Sequence, residues 1–143
     1  MSPASTFAPP TITVAALLTL AGCSSTAKGR GENPEARAQF ESLKQLAGTW
    51  TTAAGSTRPG MTFRYTVTGA GSVVQEEFYP GTPEAMVTMY HLDGPDLVLT
   101  HYCAAGNQPS MRAGRTLADG TIPFEFTDGT NMGSHEVGHM HAA

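Results

Sequence analysis

Cysteine is almost missing from this 143-residue chain, which has two, Cys23 and Cys103. Two thiols are too few for a disulfide scaffold even in an oxidising compartment. Charge is thin as well: 14% of residues are charged, and eight Lys and Arg against twelve Asp and Glu leave a net charge of −4. No basic patch interrupts that balance, so nothing electrostatic points to nucleic acid. Long apolar runs are missing too; the longest, around Val14 to Leu20, belongs to a stretch of about a dozen apolar residues and is too short to span a bilayer. The chain holds no P-loop, no Gly-x-Gly-x-x-Gly and no Gly-x-Ser-x-Gly nucleophile elbow, and no repeat of 20 to 50 residues.

What is present first is an address. The run Val14-Ala15-Ala16-Leu17-Leu18-Thr19 leads into Leu20-Ala21-Gly22-Cys23-Ser24-Ser25, a length that suits a signal-peptide h-region. Leu20-Ala21-Gly22-Cys23 resembles the lipobox of bacterial lipoproteins. The resemblance implies that residues 1–22 are a signal peptide and that Cys23 becomes the lipidated first residue of the mature protein. It implies a membrane partner reached through a lipid anchor, in the cell envelope. Ser24 and Ser25, with no Asp after the cysteine, resemble the outer-membrane-sorted signal, on the periplasmic side if the cell is Gram-negative. Every charged residue lies beyond Gly22. With Cys23 acylated, Cys103 has no intrachain partner and should be buried or reactive; its apolar neighbours point to burial.

Residues 23–32 are small, polar and glycine-containing, the composition of a flexible tether. The folded domain is expected over residues 33–143, a size suited to one domain. Asn33 is a natural N-cap, Pro34 suits the first helical position, and Phe40, Leu43 and Leu46/Ala47 recur at helical spacing until Gly48. One short helix is predicted over Pro34 to Ala47.

Beyond Gly48 the pattern becomes β. Strands are predicted over Thr49–Ala54, Met61–Thr68, Ser72–Tyr79, Ala85–Leu92, Leu97–Cys103, Ser110–Leu117 and Thr121–Thr127. Gly69-Ala70-Gly71, Pro80-Gly81-Thr82-Pro83, Asp93-Gly94-Pro95-Asp96 and Asp119-Gly120 separate them with turn chemistry. Short strands without intervening helices imply an all-β antiparallel up-and-down meander, closing as a barrel or folding as a sandwich.

The turn at Asp93 to Asp96 permits a facing argument. Pairing Leu92 with Leu97 sets Tyr90 opposite Leu99, Thr88 opposite His101 and Met86 opposite Cys103. Period-2 alternation then gathers Tyr90, Leu92, Leu97, Leu99, His101 and Cys103 on one face, the more apolar and the candidate interior. The other face carries Val87, Met89, His91, Val98, Thr100 and Tyr102, mixed enough to leave the reverse facing open.

A helix entering Leu46-Ala47-Gly48-Thr49-Trp50, followed by a meander, resembles the calycin group of lipocalin-like β-barrels, in which a Gly-x-Trp near the first strand closes one end. The block from Gly81 through Met86-Val87-Thr88-Met89-Tyr90-His91-Leu92-Asp93-Gly94 to Asn107-Gln108-Pro109 is similar to secreted bacterial proteins of this kind. The resemblance implies a fold and a location, with no reaction to carry over. Barrels of this type close with about eight strands or more, and seven are counted here. A His-Met-His segment in similar proteins looks like the start of a further strand, so the resemblance implies a barrel with a strand missing.

Three constellations have chemistry attached. His135-Glu136-Val137-Gly138-His139 matches the HExxH pattern, in which two histidines one helical turn apart hold Zn²⁺ and the glutamate activates water. Gly129, Gly133 and Gly138 oppose the helix this requires, and the match is taken as chance. His135, His139 and His141 together form a candidate labile Zn²⁺ or Cu²⁺ site, against the simpler reading of solvated histidines. His101 with Cys103 is a candidate interior pair for a metal or haem, against a hydrogen-bonded core histidine. Glu76 and Glu77, adjacent on a strand, point to opposite faces and form no paired-carboxylate site. Phe63, Tyr65, Phe78, Phe124 and Phe126 suit barrel packing better than a nucleic-acid platform.

The expectation is a non-enzymatic, lipid-anchored β-barrel that needs no cofactor and binds a small apolar ligand near Tyr90, His101 and Cys103. Two alternatives stand beside it: a structural envelope lipoprotein with a filled core, and a metal-binding or metal-dependent hydrolase built on His135, Glu136 and His139.

Overall fold

The computed structural model describes residue 31, residues 33–133, and residues 140 and 143. Cys23, His135, His139 and His141 lie outside the described residues, so the lipobox and the histidine segment are left as sequence readings.

The one α-helix among the described residues begins as its sequence predicts. The Asn33 side chain accepts from the Glu35 N–H at 3.0 Å, Pro34 opens the helix, and Glu35 lies in the first turn with Lys44 in the last, which suits the helix dipole. Helix α1 spans Pro34–Lys44, ending before the predicted Ala47. Gln45, Leu46 and Ala47 bond three residues back instead of four, to Ser42, Leu43 and Lys44, so the last turn tightens into Gly48 at φ 137°. Ala36, Gln39 and Phe40 form the buried face, and the Lys44 ammonium sits 4.7 Å from the Phe40 ring centroid.

All seven predicted strands form: β1 Gly48–Thr51, β2 Thr62–Thr68, β3 Val73–Phe78, β4 Met86–Asp93, β5 Asp96–Tyr102, β6 Gln108–Ala113 and β7 Phe124–Thr130. They make one all-antiparallel sheet in sequence order, β1 to β7. The architecture is thus an all-β up-and-down meander with one short helix, and the sheet is open, with β1 and β7 at its edges.

The β4–β5 hairpin has the predicted register: Leu92 pairs with Leu97, Tyr90 with Leu99 and Thr88 with His101. Gly94 takes φ 59° at the first loop position, the left-handed requirement that a Gly-Pro two-residue loop satisfies. The strands depart from prediction at their ends, β1 by stopping at Thr51 instead of Ala54. β6 starts at Gln108 and stops at Ala113, because the Gly114 N–H bonds Pro123 O at 2.8 Å while Gly114 O accepts from Gln39 Nε2 at 2.8 Å. β7 starts at Phe124 and carries an irregularity opposite Ser110/Met111, where the Thr127 hydroxyl bonds Ser110 O. β5 ends at Tyr102, leaving Cys103 in the following turn.

Alternation sorts the sheet into two faces. Val74, Tyr90, Leu97, Leu99, Met111 and Phe124 are buried on the inner face and pack with Ala36 and Phe40 of α1. The reverse facing is thereby excluded. Met140 packs against this core, and Ala143 exchanges both backbone bonds with Phe124, N–H to O at 3.3 Å and 2.9 Å. That reciprocal pair is a rung of an antiparallel ladder on the outer edge of β7. At the opposite edge Trp50 is 52% exposed, with its Nε1–H donating to Leu46 O at 2.7 Å.

Candidate functional site

The inner face is not wholly apolar. Successive registers place Tyr65 opposite Glu76, Glu76 opposite Thr88, and Thr88 opposite His101. Four polar residues therefore form a row across β2, β3, β4 and β5, flanked by Val74 and Leu99. Glu76 is only 5% exposed, Thr88 and His101 2% each. Buried polar groups of this kind must find partners, and these do. Tyr65 Oη donates to Glu76 Oε1 at 2.5 Å, and Tyr90 Oη donates to Glu76 Oε2 at 2.6 Å. Thr88 Oγ1 lies 2.9 Å from His101 Nδ1.

Both phenols are pushed well above the usual tyrosine range, first by burial and then by the Glu76 charge and hydrogen bonds. They stay protonated donors throughout the physiological range. Burial holds His101 below the ordinary histidine value, so its ring is neutral at neutral pH. Phe78 meets His101 edge-on at 5.7 Å between ring centroids, and Phe63 packs on Phe78 at 5.1 Å. Tyr90 meets Phe124 edge-on at 5.7 Å.

Above this row lies a cavity of about 440 Å³, lined by Arg58, Glu76, Phe78, Thr88, Tyr90, Leu99, Met140 and Ala143. A second of about 370 Å³ lies between α1 and β7, lined by Ser42, Leu43, Leu46, Tyr90, Gly120, Ile122, Phe124 and Ala143. Tyr90 and Ala143 line both, so the Tyr90 ring stands between a cleft with a polar floor and an apolar one. Volumes of this order fit small ligands.

Of the residues predicted to bind a ligand, Tyr90 lines both cavities. His101 lies beside them, two strands over from Glu76 and bonded to the intervening Thr88. Cys103 does not join them. It is half-buried, contrary to the expected burial, because β5 ends one residue earlier; the Ala105 N–H approaches its Sγ at 3.5 Å. His101 is a hydrogen-bonded interior histidine, and among the described residues no group of three His, Cys, Asp or Glu is placed to hold a metal ion.

Glu76 and Tyr65 are the site residues that the sequence reading passes over. The signal was present: the parity that buries Val74 also buries Glu76. Glu77, one residue on, faces outward and pairs with its cross-strand neighbour Arg64 at 2.5 Å.

No family model, no curated protein and no solved structure matches this chain. Its functional reading therefore rests on its own residues. Among the described residues no helix is long and apolar enough to cross a membrane.

Proposed function

We propose that this chain is a lipid-anchored envelope lipoprotein whose β-domain, an incomplete calycin-like barrel, binds a small ligand on the inner face of its sheet without catalysing a reaction. The observation that carries the reading is the cavity of about 440 Å³ over Glu76, Thr88 and Tyr90. Its walls, Phe78, Leu99 and Met140, are apolar; its floor holds hydrogen-bonding groups already fixed by Tyr65, Tyr90 and His101. Such a lining suits a ligand with an apolar body and one polar head, a refinement of the purely apolar ligand that a lipocalin-like interior suggests. Fixed polar partners reduce the ordering that binding would otherwise require. The reading of the anchor is supported by Leu20-Ala21-Gly22-Cys23.

The test is titration of the folded full chain with the uncharged fluorophore N-phenyl-1-naphthylamine. Saturable binding that weakens roughly tenfold in Thr88→Leu, which fills part of the cavity, is expected. Absence of saturable binding would favour the alternative of a structural lipoprotein with a filled core. For the anchor, Cys23→Ser is expected to move the protein from the membrane fraction to the soluble one, and continued membrane association would overturn the lipobox reading.

A further inference from the structure

Among the described residues, the carboxylate on the cavity floor has no cation paired with it. Both Glu76 oxygens act as acceptors, from Tyr65 Oη at 2.5 Å and Tyr90 Oη at 2.6 Å, and neither bond brings a positive charge. Among the described residues no Lys, Arg or His forms an ion pair with it. A buried charge is ordinarily paired or coordinates a metal. A metal is a poor fit, because no cluster of three acidic, histidine or cysteine ligands exists among the described residues. Two phenol bonds occupy only part of what a carboxylate can accept, about four lone-pair positions in all, so capacity remains on the side facing the cavity. The Phe78 and Tyr90 rings line the same space, and aromatic faces attract organic cations.

We propose that this cavity binds an organic ammonium ion, its cationic head on the Glu76 carboxylate and its alkyl body against Phe78, Leu99 and Met140. The proposal rests on the ligand-binding reading above and specifies the charge of the ligand. Tyr65 and Tyr90 act as positioning residues: each holds one carboxylate oxygen without neutralising it. An anionic ligand would meet the Glu76 charge unscreened by water, and a neutral one would leave it unpaired. Arg58 also lines the cavity. Its side chain is exposed, so its charge is largely hydrated, but it still opposes a cation entering beside it.

The experiment is an NMR titration of the full chain at neutral pH with three ligands of equal length: hexylammonium, 1-hexanol and hexanoate. Hexylammonium is expected to bind roughly tenfold tighter than 1-hexanol, with hexanoate weakest. Glu76→Gln, which keeps the shape of the side chain, is expected to erase the ammonium preference while 1-hexanol binding persists. Arg58→Gln is expected to strengthen hexylammonium binding a few-fold. If 1-hexanol binds as tightly as hexylammonium, or if the preference survives Glu76→Gln, the charge assignment is overturned and the ligand-binding reading stands. If none of the three saturates a site, the ligand-binding reading fails and the charge assignment fails with it. Should Glu76→Gln not fold, the ranking of the three ligands on the unmodified chain decides alone.

Discussion

Glu76 and Glu77 are neighbours on one strand, yet the two faces of the sheet treat them in opposite ways. On the outer face Glu77 meets Arg64 across β2 and β3, and Asp96 meets Arg112 at 3.2 Å, ion pairs whose carboxylates are partly buried and whose arginines are about half exposed to water. On the inner face Glu76 is held by two neutral phenols and borders a cavity. A mobile cationic side chain satisfies a carboxylate at a wet surface, where little is gained or lost. A buried carboxylate fixed by uncharged donors keeps its charge available. The difference is the one on which the ligand-binding proposal rests.

The contrast can be tested strand by strand, beginning with residues 98 and 99. Leu99→Ala is expected to destabilise the domain by about 3 kcal/mol, since it removes a fully buried side chain. Val98→Ala, on the outer face, is expected to cost less than about 1 kcal/mol. Urea unfolding checks both, and equal losses would dissolve the distinction between the faces. Next comes Glu76→Ala, which strands the Tyr65 and Tyr90 hydroxyls and is expected to cost about 2 kcal/mol by the same measurement. Restoration of that stability in the triple variant with Tyr65→Phe and Tyr90→Phe would assign the loss to the hydroxyls.

His101 sharpens the comparison through pH. Its folded value lies below its unfolded one because of burial, so the unfolded chain takes up the proton first as pH falls. The contribution of the neutral ring is complete above the ordinary histidine value. It is lost as pH drops from there toward the lowered folded value. A thermal-unfolding series from pH 7.5 to 5 is expected to show a decline that His101→Gln flattens; equal slopes would contradict the burial of this ring. The smallest effect is expected outside, where Arg64→Ala should change stability by less than about 1 kcal/mol and the change should shrink further in high salt.

Much of the fold was legible in the residues. Turn chemistry marked four of the six connections between strands, and the two-residue loop at Gly94-Pro95 fixed the β4–β5 register, because so short a connection leaves no freedom to slip. Asn33 and Pro34 set the helix start for similarly local reasons. What escaped was set by distant partners. The end of β6 depends on Gln39, whose side chain reaches Gly114 O and Thr116 Oγ1 from the helix. The candidate site is legible only in part. Tyr90 and His101 follow from the hairpin register, whereas Glu76 requires that register to be carried into β3 across residues 79–85. That longer connection specifies no pairing by itself. Alternation alone turns Glu76 and Glu77 to opposite faces, and only the burial of Val74 reveals which one turns inward. Cys103 was misjudged for the converse reason: apolar neighbours suggest a core position, but the strand had already ended.

The unbroken order of the sheet has a kinetic consequence. Each strand pairs with the next in the chain, so the meander assembles by closing short hairpin loops in succession, with little entropy lost at each closure. The helix joins by a different kind of contact: Gln39 meets Gly114 and Glu35 meets the Thr116 N–H, across most of the domain. The sheet is therefore expected to form first and the helix to dock late. Gln39→Ala should then accelerate unfolding while leaving the refolding rate nearly unchanged. Because α1 borders the apolar cleft beside Tyr90, the last step of folding is also the step that walls in the interior.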